Sequence, residues 1–525
     1  MTMVDEQRAE ASSSDGFVVL AGFLALAALN LVFWRFDYPP LIDWPNHLAR
    51  HSLQCASDPM AGLGRYYVYD FVWVPNLTSE LVHALPFACA SLLTTQKVLF
   101  QFATTGLLAA ALILHFAVWR HWSVWPLLAA FGTHHMALGY GFENYVLALP
   151  PLLLSIAAWF LLRERGAVTR LLPLVPVAGG LYLLHLYAFM FFFGVIGLLE
   201  LQKWWVARRL GTFLLVAGLM AAMAAGPVLH LVLSATGSAG IDVAKTEFGT
   251  VLSRLRVVLS PFTALGVPYL DAGILRAAAL QLLGLCAVWG VLRFIGRPVR
   301  LKRGTLLAVC GMALVTVAMP PTLGAVHLSD IRFPVAFLCL ALAVTDVRLT
   351  QGQGTVLALS VVAACAWRAS WLEPRWAAHD REVRELLSLN AALSEQDRIL
   401  VARAGPASDV LLHSHSASHL AREVGVFLPE IFSGGNAITA RPQYAARDNF
   451  QTFPILADEL VKEARNPRSP LSDDVPYSDR YWTNWPEFYT HVLVLGRNGE
   501  TFSEVPEFGS LIRRGTFFAL YRSGS

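Results

Sequence analysis

Charged residues are scarce in this chain. Asp, Glu, Lys and Arg make up 15% of its 525 residues, whereas 55% are hydrophobic, and the mean hydropathy is +0.51. A water-soluble protein of this length does not need so much apolar sequence, so the composition predicts a polytopic α-helical membrane protein. The net charge of +3 is too small to indicate a nucleic-acid partner, and we expect none.

Cysteine is also scarce, and several motifs are missing. The six Cys lie mostly in apolar runs without paired spacing, which predicts small core residues and neither a disulfide framework nor a metal site. The residues before Gly16 lack the basic region and cleavage site of a secretory signal, so we expect a retained first span there. We find no internal repeat, no inverted duplication and no Gly-rich phosphate-binding loop.

Apolar runs of roughly 17–25 residues divide residues 1–371 into about eleven predicted spans. The spans are approximately 16–34, 96–118, 123–139, 144–162, 171–184, 185–202, 211–234, 274–294, 304–320, 331–347 and 354–371. Lys and Arg in alternate loops predict a cytoplasmic N-terminus. Residues 35–95 then form a large first outer loop, in which 78–94 is an interfacial segment, as is 248–259 in a later outer loop.

The composition changes after Trp371. Residues 372–525 have ordinary charge density, a predicted helix at about 376–393, and short β-type runs at 398–403, 491–496 and 515–522. This pattern predicts a soluble α/β domain on the outer face of the membrane. The sequence HSHSASH at 413–419 resembles a metal-binding tract, but three His on a loop are more often solvated polar residues, so we expect no metal there.

Ionisable residues beside the spans gather on the outer side of this topology. Such groups are costly near a membrane, so each is a functional hypothesis. Asp43 directly precedes a helix predicted from WPNHLARHSLQ, and we expect its oxygen to cap that helix by accepting the Asn46 amide. His47 and His51 follow at i+4 spacing on one face. A capped interfacial helix without further function is the alternative interpretation.

Chemistry on the outer face has no nucleotide sugars, so a transfer reaction there needs a donor activated on a lipid. It also needs a carboxylate that accepts a proton, and cations that stabilise a leaving phosphate. The candidate substrate-binding residues are His47, Asp70, Glu143, Asn144, His327 and Asp330. The candidate phosphate-binding cations are Arg332, Lys245, Arg254 and Arg256.

Several of these residues have a structural alternative. Asp70 is in a context typical of turns, and Glu143 with Asn144 opens a predicted span, where helix capping is expected. His327 and Asp330 could pair with each other.

The first outer loop resembles that of the GT-C superfamily of polyprenyl-phosphate-sugar-dependent glycosyltransferases. The resemblance consists of an Asp that begins a helix in DWPNHLARHSLQ, the aromatic YYVYDF at 66–71, and an amphipathic segment that leads into the second span. It implies a GT-C-like fold in the bacterial inner membrane, with the C-terminal domain in the periplasm. It further implies an inverting transfer from a polyprenyl-phosphate sugar to a lipid, glycan or protein acceptor, with Asp43 as general base.

Other interpretations remain open. The C-terminal domain lacks a WWDYG-like signature, which counts against transfer of a preassembled oligosaccharide to Asn. A ligase or polymerase of lipid-linked glycan, a transporter or flippase of lipid-linked sugar, and an assembly scaffold are the alternatives. No cofactor is firmly implied, and a divalent cation is compatible with the carboxylates although no ligand set demands one.

Overall fold

The computed structural model describes residues 3–235, 246–250, 253–263, 272–323, 326–432, 438–449, 454–465, 480–496 and 505–524. Most of them are helical. The α-helices are α1 (Met3–Leu31), α2 (Trp44–Gln54), α3 (Thr78–His83), α4 (Pro86–Cys89), α5 (Leu92–Gln101), α6 (Leu107–Trp119), α7 (Met136–Gly139), α8 (Glu143–Leu162), α9 (Ala167–Leu171), α10 (Leu174–Leu184), α11 (Leu186–Ala207), α12 (Leu210–Ala235), α13 (Ser253–Leu259), α14 (Ala272–Phe294), α15 (Leu306–Ala318), α16 (Phe333–Val344), α17 (Gln351–Leu387), α18 (Ala407–Val410), α19 (Ser418–Val424), α20 (Ala457–Arg465) and α21 (Trp485–Phe488).

Within these ranges, seven helices are long and apolar enough to cross a membrane. They are Gly16–Arg35, Leu92–Trp119, Glu143–Leu162, Ala167–Leu184, Leu186–Ala207, Leu210–Leu233 and Gln351–Ala392. The protein is thus a helical membrane protein, as its composition predicts. Two further apolar helices, Ala278–Phe294 and Leu306–Ala318, are shorter, and α16 has only 12 residues. The count of eleven spans stays a prediction.

The predicted span 123–139 is not one long helix. It consists of a 3-10 helix at Trp125–Gly132 followed by the short α7. The buried Arg368 guanidinium of α17 donates to the carbonyls of Ala130 and Phe131, at 2.9 and 2.8 Å. Irregular backbone within an apolar helical bundle must find hydrogen-bond partners inside the protein. The Arg368 guanidinium supplies the N–H donors that the next turn of a regular helix would otherwise provide to these carbonyls.

The first loop folds into short helices, and the interfacial segment 78–94 is not a span. It contains α3 and α4, and the long apolar helix begins only at Leu92. The expectation of no disulfide is wrong, because Cys55 at the end of α2 is bonded to Cys89 at the end of α4. The two cysteines are 34 residues apart in sequence, and helix packing brings their Cα atoms to 5.4 Å. Sequence spacing carries no signal for such a contact.

The strands lie mainly in the C-terminal domain. They are β1 (Tyr67–Tyr69), β2 (Arg300–Leu301), β3 (Thr322–Leu323), β4 (Val326–His327), β5 (Thr345–Asp346), β6 (Ile399–Arg403), β7 (Ile438–Ala440), β8 (Ile455–Leu456), β9 (His491–Leu495), β10 (Ser510–Arg514) and β11 (Phe518–Arg522). One five-stranded sheet has the order β10-β11-β9-β6-β8, in which β6 is parallel to β8 and β9. The three predicted β-type runs are confirmed as β6, β9 and β11.

The first loop and the C-terminal domain share one core. Strand β1 of the loop pairs antiparallel with β7, and Ala49 and Leu53 of α2 pack into the apolar cluster beneath the sheet. Helix α17 continues without a break through the predicted domain boundary at 371/372. The loop that carries Asp43 is therefore held between the membrane helices and the C-terminal domain.

We expect the disulfide to stabilise this loop. Replacing Cys55 and Cys89 together by Ser should lower the free energy of unfolding by roughly 2–4 kcal/mol, because the unfolded loop gains conformational entropy. Thermal unfolding of the protein in lipid nanodiscs measures this change. Cys286→Ser, at an exposed free cysteine, is the matched control and should leave the transition unchanged. Equal transitions for the double variant and the wild type would contradict the stabilising role.

Candidate functional site

Asp43 occupies the N-cap position of α2, as predicted, but its side chain makes no capping hydrogen bond. Its backbone has φ −85° and ψ −14°, in the helical region, whereas a residue that caps with its side chain is usually extended. The Asn46 side chain instead contacts the C-terminal domain, where its Nδ2 donates to the Glu430 carbonyl at 3.0 Å. The predicted cap bond is therefore wrong, and the Asp43 carboxylate is left for another role.

The backbone at Asp43 is anchored by the loop before α8. The Ile42 and Asp43 amides donate to the carbonyls of Gly139 and Tyr140, at 3.2 and 3.0 Å. Gly141 adopts φ +75°, and a Cβ at this position would lie 2.8 Å from the Asp43 nitrogen. Only glycine fits both the left-handed conformation and this close approach. The loop thus fixes where the carboxylate points.

Burial makes the Asp43 carboxyl a much weaker acid than an exposed aspartate. Desolvation raises the pKa of Asp43 to about 7, and the positive charge of Arg332 opposes part of that rise. The side chain keeps a relative exposure of 20%, so it lines a recess that solvent reaches. His415 Nε2 lies 3.7 Å from its Oδ1, but burial lowers the pKa of His415 to about 4, so this imidazole is neutral. Asp43 therefore exchanges a proton near neutral pH, which is a favourable property for acid–base chemistry.

Arg332 is a buried cation supported by aromatic rings. It follows a 3-10 turn (Ser329–Ile331) and directly precedes α16. Its guanidinium carbon lies 4.5 Å from the Phe142 ring centroid and 4.7 Å from that of Tyr187. Arg332 as a whole is only 8% exposed, and its Nε has no hydrogen-bond partner within the described residues. Its Nη1 donates to the His327 carbonyl at 3.5 Å, and the described residues offer this guanidinium no carboxylate partner.

Glu143 joins two histidines of α2. Its Oε2 lies 3.6 Å from His47 Nδ1 and 3.4 Å from His51 Nε2. Ligand atoms of a tetrahedral zinc ion are about 3.3 Å apart, so these three side chains could hold a divalent cation. Burial lowers the pKa of His47 to about 4, which leaves it neutral. The His47 side chain contacts Glu143 and the Phe432 ring. Its backbone amide donates to the Asp43 carbonyl at 3.1 Å, but no contact between the two side chains is seen in the described part of the chain.

The sequence pattern predicts that His51 lies beside His47 on one helix face, but it assigns no role to His51. The i+4 spacing of the two histidines was a visible signal, yet the Glu143 partner, 92 residues beyond His51, was not foreseeable. The buried ion pair between Arg50 and Glu80 was missed as well. It lies next to the stacked rings of His51 and His83, whose centroids are 3.8 Å apart.

Asn144 acts as a clamp between α8 and α3. Its Oδ1 accepts from the Ser79 amide at 2.6 Å and from the Ser79 hydroxyl at 2.8 Å. Its Nδ2 donates to the Asn76 carbonyl at 2.6 Å and to Glu80 Oε2 at 3.2 Å. Both ends of the side chain are engaged, so the described contacts of Asn144 position the neighbouring carboxylates.

The remaining predicted acidic residues and His327 lie in different environments. Asp70 is exposed just after β1. His327 is also exposed, with its Nδ1 3.2 Å from the Thr322 hydroxyl. Asp330 is completely buried in the turn that precedes Arg332. Of these three, only Asp330 lies in the interior next to the buried cation.

The predicted outer-loop cations receive less support. Arg254 donates from Nη1 to the Met319 carbonyl at 2.5 Å. Lys245 lies outside the described residues, and for Arg256 only the helical backbone of α13 is described. Among the four cations, Arg332 is the one whose charge lowers the pKa of Asp43.

The histidines of 413–419 are not solvated loop residues. His413 stacks on the Phe517 ring, with centroids 3.8 Å apart. His415 faces Asp43, and His419 packs edge-on against Tyr38 at 4.9 Å. The expectation of a solvated tract is therefore wrong. The three side chains point to different partners, so they do not form one ligand set.

No model of a known protein family matches this chain, and a search of curated proteins finds no match either. The site therefore carries the functional argument.

The raised pKa of Asp43 predicts a stability effect. The unfolded chain releases this proton near the ordinary pKa of 3.8 and the folded protein near 7, so native stability falls as the pH rises between these values. Asp43→Asn removes the buried charge and should stabilise the protein by about 2–4 kcal/mol at about pH 8. The gain should shrink as the pH falls toward 4.

Asp37→Asn is the matched control, measured by the same thermal unfolding series. Although burial raises the pKa of Asp37, hydrogen bonds from Lys97 and Arg384 lower it below the usual value. The sign is therefore opposite, and Asp37→Asn should destabilise the protein at about pH 8. If Asp43→Asn destabilised the protein at this pH as Asp37→Asn does, the buried-carboxylate interpretation would be wrong.

Proposed function

We propose that this protein is an inverting glycosyltransferase of the GT-C type. It transfers a sugar from a polyprenyl-phosphate donor to an acceptor hydroxyl on the outer face of the bacterial inner membrane. The observation that carries the proposal is Asp43, an uncapped carboxylate with a pKa of about 7 whose ionised form is favoured by the charge of Arg332.

The two groups suit the two halves of the reaction. Asp43 accepts the proton of the acceptor hydroxyl while the hydroxyl oxygen bonds to the anomeric carbon. The bond between that carbon and the phosphate oxygen breaks, and its electron pair leaves with the polyprenyl phosphate. Arg332 stabilises the charge that develops on this phosphate. A base with a pKa near the working pH is the most effective for such a proton transfer.

Arg332 is favoured as the phosphate group's partner by its surroundings. Phe142 and Tyr187 stabilise the guanidinium through their ring faces, and Nε keeps an unused donor within the described contacts. Guanidinium groups bind phosphate through planar pairs of N–H donors. The helix α13 lies beside this position, since it packs against the 3-10 turn Ser329–Ile331 that directly precedes Arg332.

Two observations support an outer-face location for the site. The Cys55–Cys89 disulfide belongs to the same loop as Asp43, and disulfides persist in oxidising compartments such as the periplasm. The C-terminal domain shares a core with that loop and pairs β7 with β1, so it belongs on the same side. Both agree with the topology expected from Lys and Arg in the loops.

The base assignment is tested by transfer assays. With polyprenyl-phosphate hexoses and pentoses as donors in nanodiscs, we expect Asp43→Asn to reduce release of polyprenyl phosphate by at least about 100-fold, because the base is lost. Mass spectrometry of the extracted lipid measures the release. Asp58→Asn, at an exposed position of the same loop whose Oδ1 accepts from the Met60 amide, is the control and should retain activity. Full activity of folded Asp43→Asn would exclude this carboxylate as the base.

The pH dependence tests the pairing of Asp43 with Arg332. The rate should rise with pH through about 7 and then level off, because only the ionised carboxylate accepts a proton. Arg332→Gln removes the charge that lowers the Asp43 pKa, so its acidic limb should move to higher pH and its maximal rate should fall. The profile of kcat against pH measures both changes. A limb that stays in place in Arg332→Gln would show that the two groups are not coupled.

A further inference from the structure

A second cluster of metal-ligating side chains lies far from Asp43. His115 is near the end of α6, His121 follows that helix, and Asp346 is in β5. Lys97, at the other end of the same continuous apolar helix, pairs with Asp37 beside the first loop. Along a helix, the 18 residues from Lys97 to His115 span about 27 Å. The cluster is therefore at the opposite end of the span.

The three side chains converge on one point. His115 Nε2 lies 3.5 Å from Asp346 Oδ1, and His121 Nε2 lies 3.3 Å from Asp346 Oδ2. Both distances exceed those of a good N–H···O hydrogen bond, about 2.9–3.0 Å. They agree with the separation of about 3.3 Å between two ligands of a tetrahedral zinc ion. The spacing fits an ion between the groups better than a direct bond.

The hydrogen bonding of His121 points the same way. Its Nδ1 lies 3.1 Å from the Trp122 carbonyl, which can only accept, so in a neutral ring the proton sits on Nδ1. In this neutral form Nε2 presents a lone pair to the Asp346 carboxylate, which a cation between the two groups would accept. A backbone carbonyl that holds Nδ1–H is the usual support of a metal-bound imidazole.

His115 and Asp346 are left unsatisfied. His115 is 1% exposed, and neither of its ring nitrogens has a hydrogen-bond partner in the described structure. Asp346 is 3% exposed, and its Oδ1 has no such partner there either. Buried polar atoms without partners are rare and costly, and a bound cation would take up His115 Nε2 and Asp346 Oδ1.

We propose that His115, His121 and Asp346 bind a divalent cation of the zinc class. Two imidazole nitrogens and one carboxylate oxygen form a ligand set that suits Zn²⁺. A cavity of about 350 Å³ borders both His121 and Asp346 and is lined in part by Ser123 and Thr350. It leaves room for water as a fourth ligand.

The ion would clamp three parts of the chain. His115 belongs to α6, His121 to the turn after it, and Asp346 to the connection between α16 and α17. Because an ion that binds only the folded state stabilises it, this end of the helical bundle gains stability from the metal. The clamp is independent of the chemistry proposed at Asp43.

The proposal is tested with the full-length protein in lipid nanodiscs, purified without a polyhistidine tag and stripped with a chelator. Co²⁺ is titrated as a spectroscopic probe of tetrahedral nitrogen and oxygen ligation, and bound Zn²⁺ is counted by elemental analysis. We expect His121→Ala and Asp346→Asn each to weaken Co²⁺ binding by at least about tenfold and to lose one equivalent of Zn²⁺. His121 has a side-chain exposure of 47%, so its removal leaves the packing intact.

His379→Ala is the matched control, since His379, Glu382 and His413 form another cluster of possible ligands. This variant should keep the equivalent that His121→Ala loses. Zn²⁺ should also raise the unfolding temperature of the wild type but not that of His121→Ala. Equal Co²⁺ stoichiometry in the wild type, His121→Ala and Asp346→Asn would overturn the proposal, as would the absence of binding to the wild type.

Discussion

The candidate site depends on the burial of α2 against three different partners. At its start, Trp44 packs into the apolar core of the membrane helices, whereas Ala49 and Leu53 enter the core of the C-terminal domain. On a further side, Arg50 and His51 face the carboxylates of α3 and α8. A helix of 11 residues is too short to be stable by itself. Its position is therefore set by these contacts, and the position of Asp43 follows from it.

This arrangement explains why an N-cap residue makes no cap bond. The backbone of Asp43 is tied to the loop at Gly139 and Tyr140, so its dihedral angles are dictated by tertiary contacts and not by the helix. The carboxylate is then directed into a recess where ionisation is costly. Natural proteins accept such local costs at functional sites, where a strained or desolvated group has a task that a relaxed one could not perform.

Local sequence patterns were sufficient to predict several of the helices and strands. The helix after Asp43, the i+4 pair of His47 and His51, and the three principal strands all follow from residue type and period. The predicted spans 171–184 and 185–202 meet at His185. In the structure the backbone of His185 is extended, and α10 ends and α11 begins there. Each of these features depends on residues that are close in sequence.

Contacts between distant parts of the chain could not be predicted from local sequence patterns. The Cys55–Cys89 disulfide, the Arg50–Glu80 ion pair and the irregular segment 125–132 each depend on a contact between separate elements. The His of 413–419 were misjudged for the same reason, because their burial comes from packing against the first loop and α17. Composition predicts that such groups are polar, but only the tertiary fold decides whether they meet water.

Two buried arginines of the site, Arg50 and Arg332, have different kinds of partner. Arg50 is neutralised by Glu80, and although burial raises the pKa of that carboxyl, Arg50 brings it below its usual range. Arg332 instead lies against the faces of Phe142 and Tyr187. Aromatic faces stabilise a cation without occupying its N–H donors, whereas a carboxylate would use them. The charge of Arg50 is thus neutralised by a carboxylate within the protein, whereas the ring faces of Phe142 and Tyr187 leave the charge of Arg332 in place.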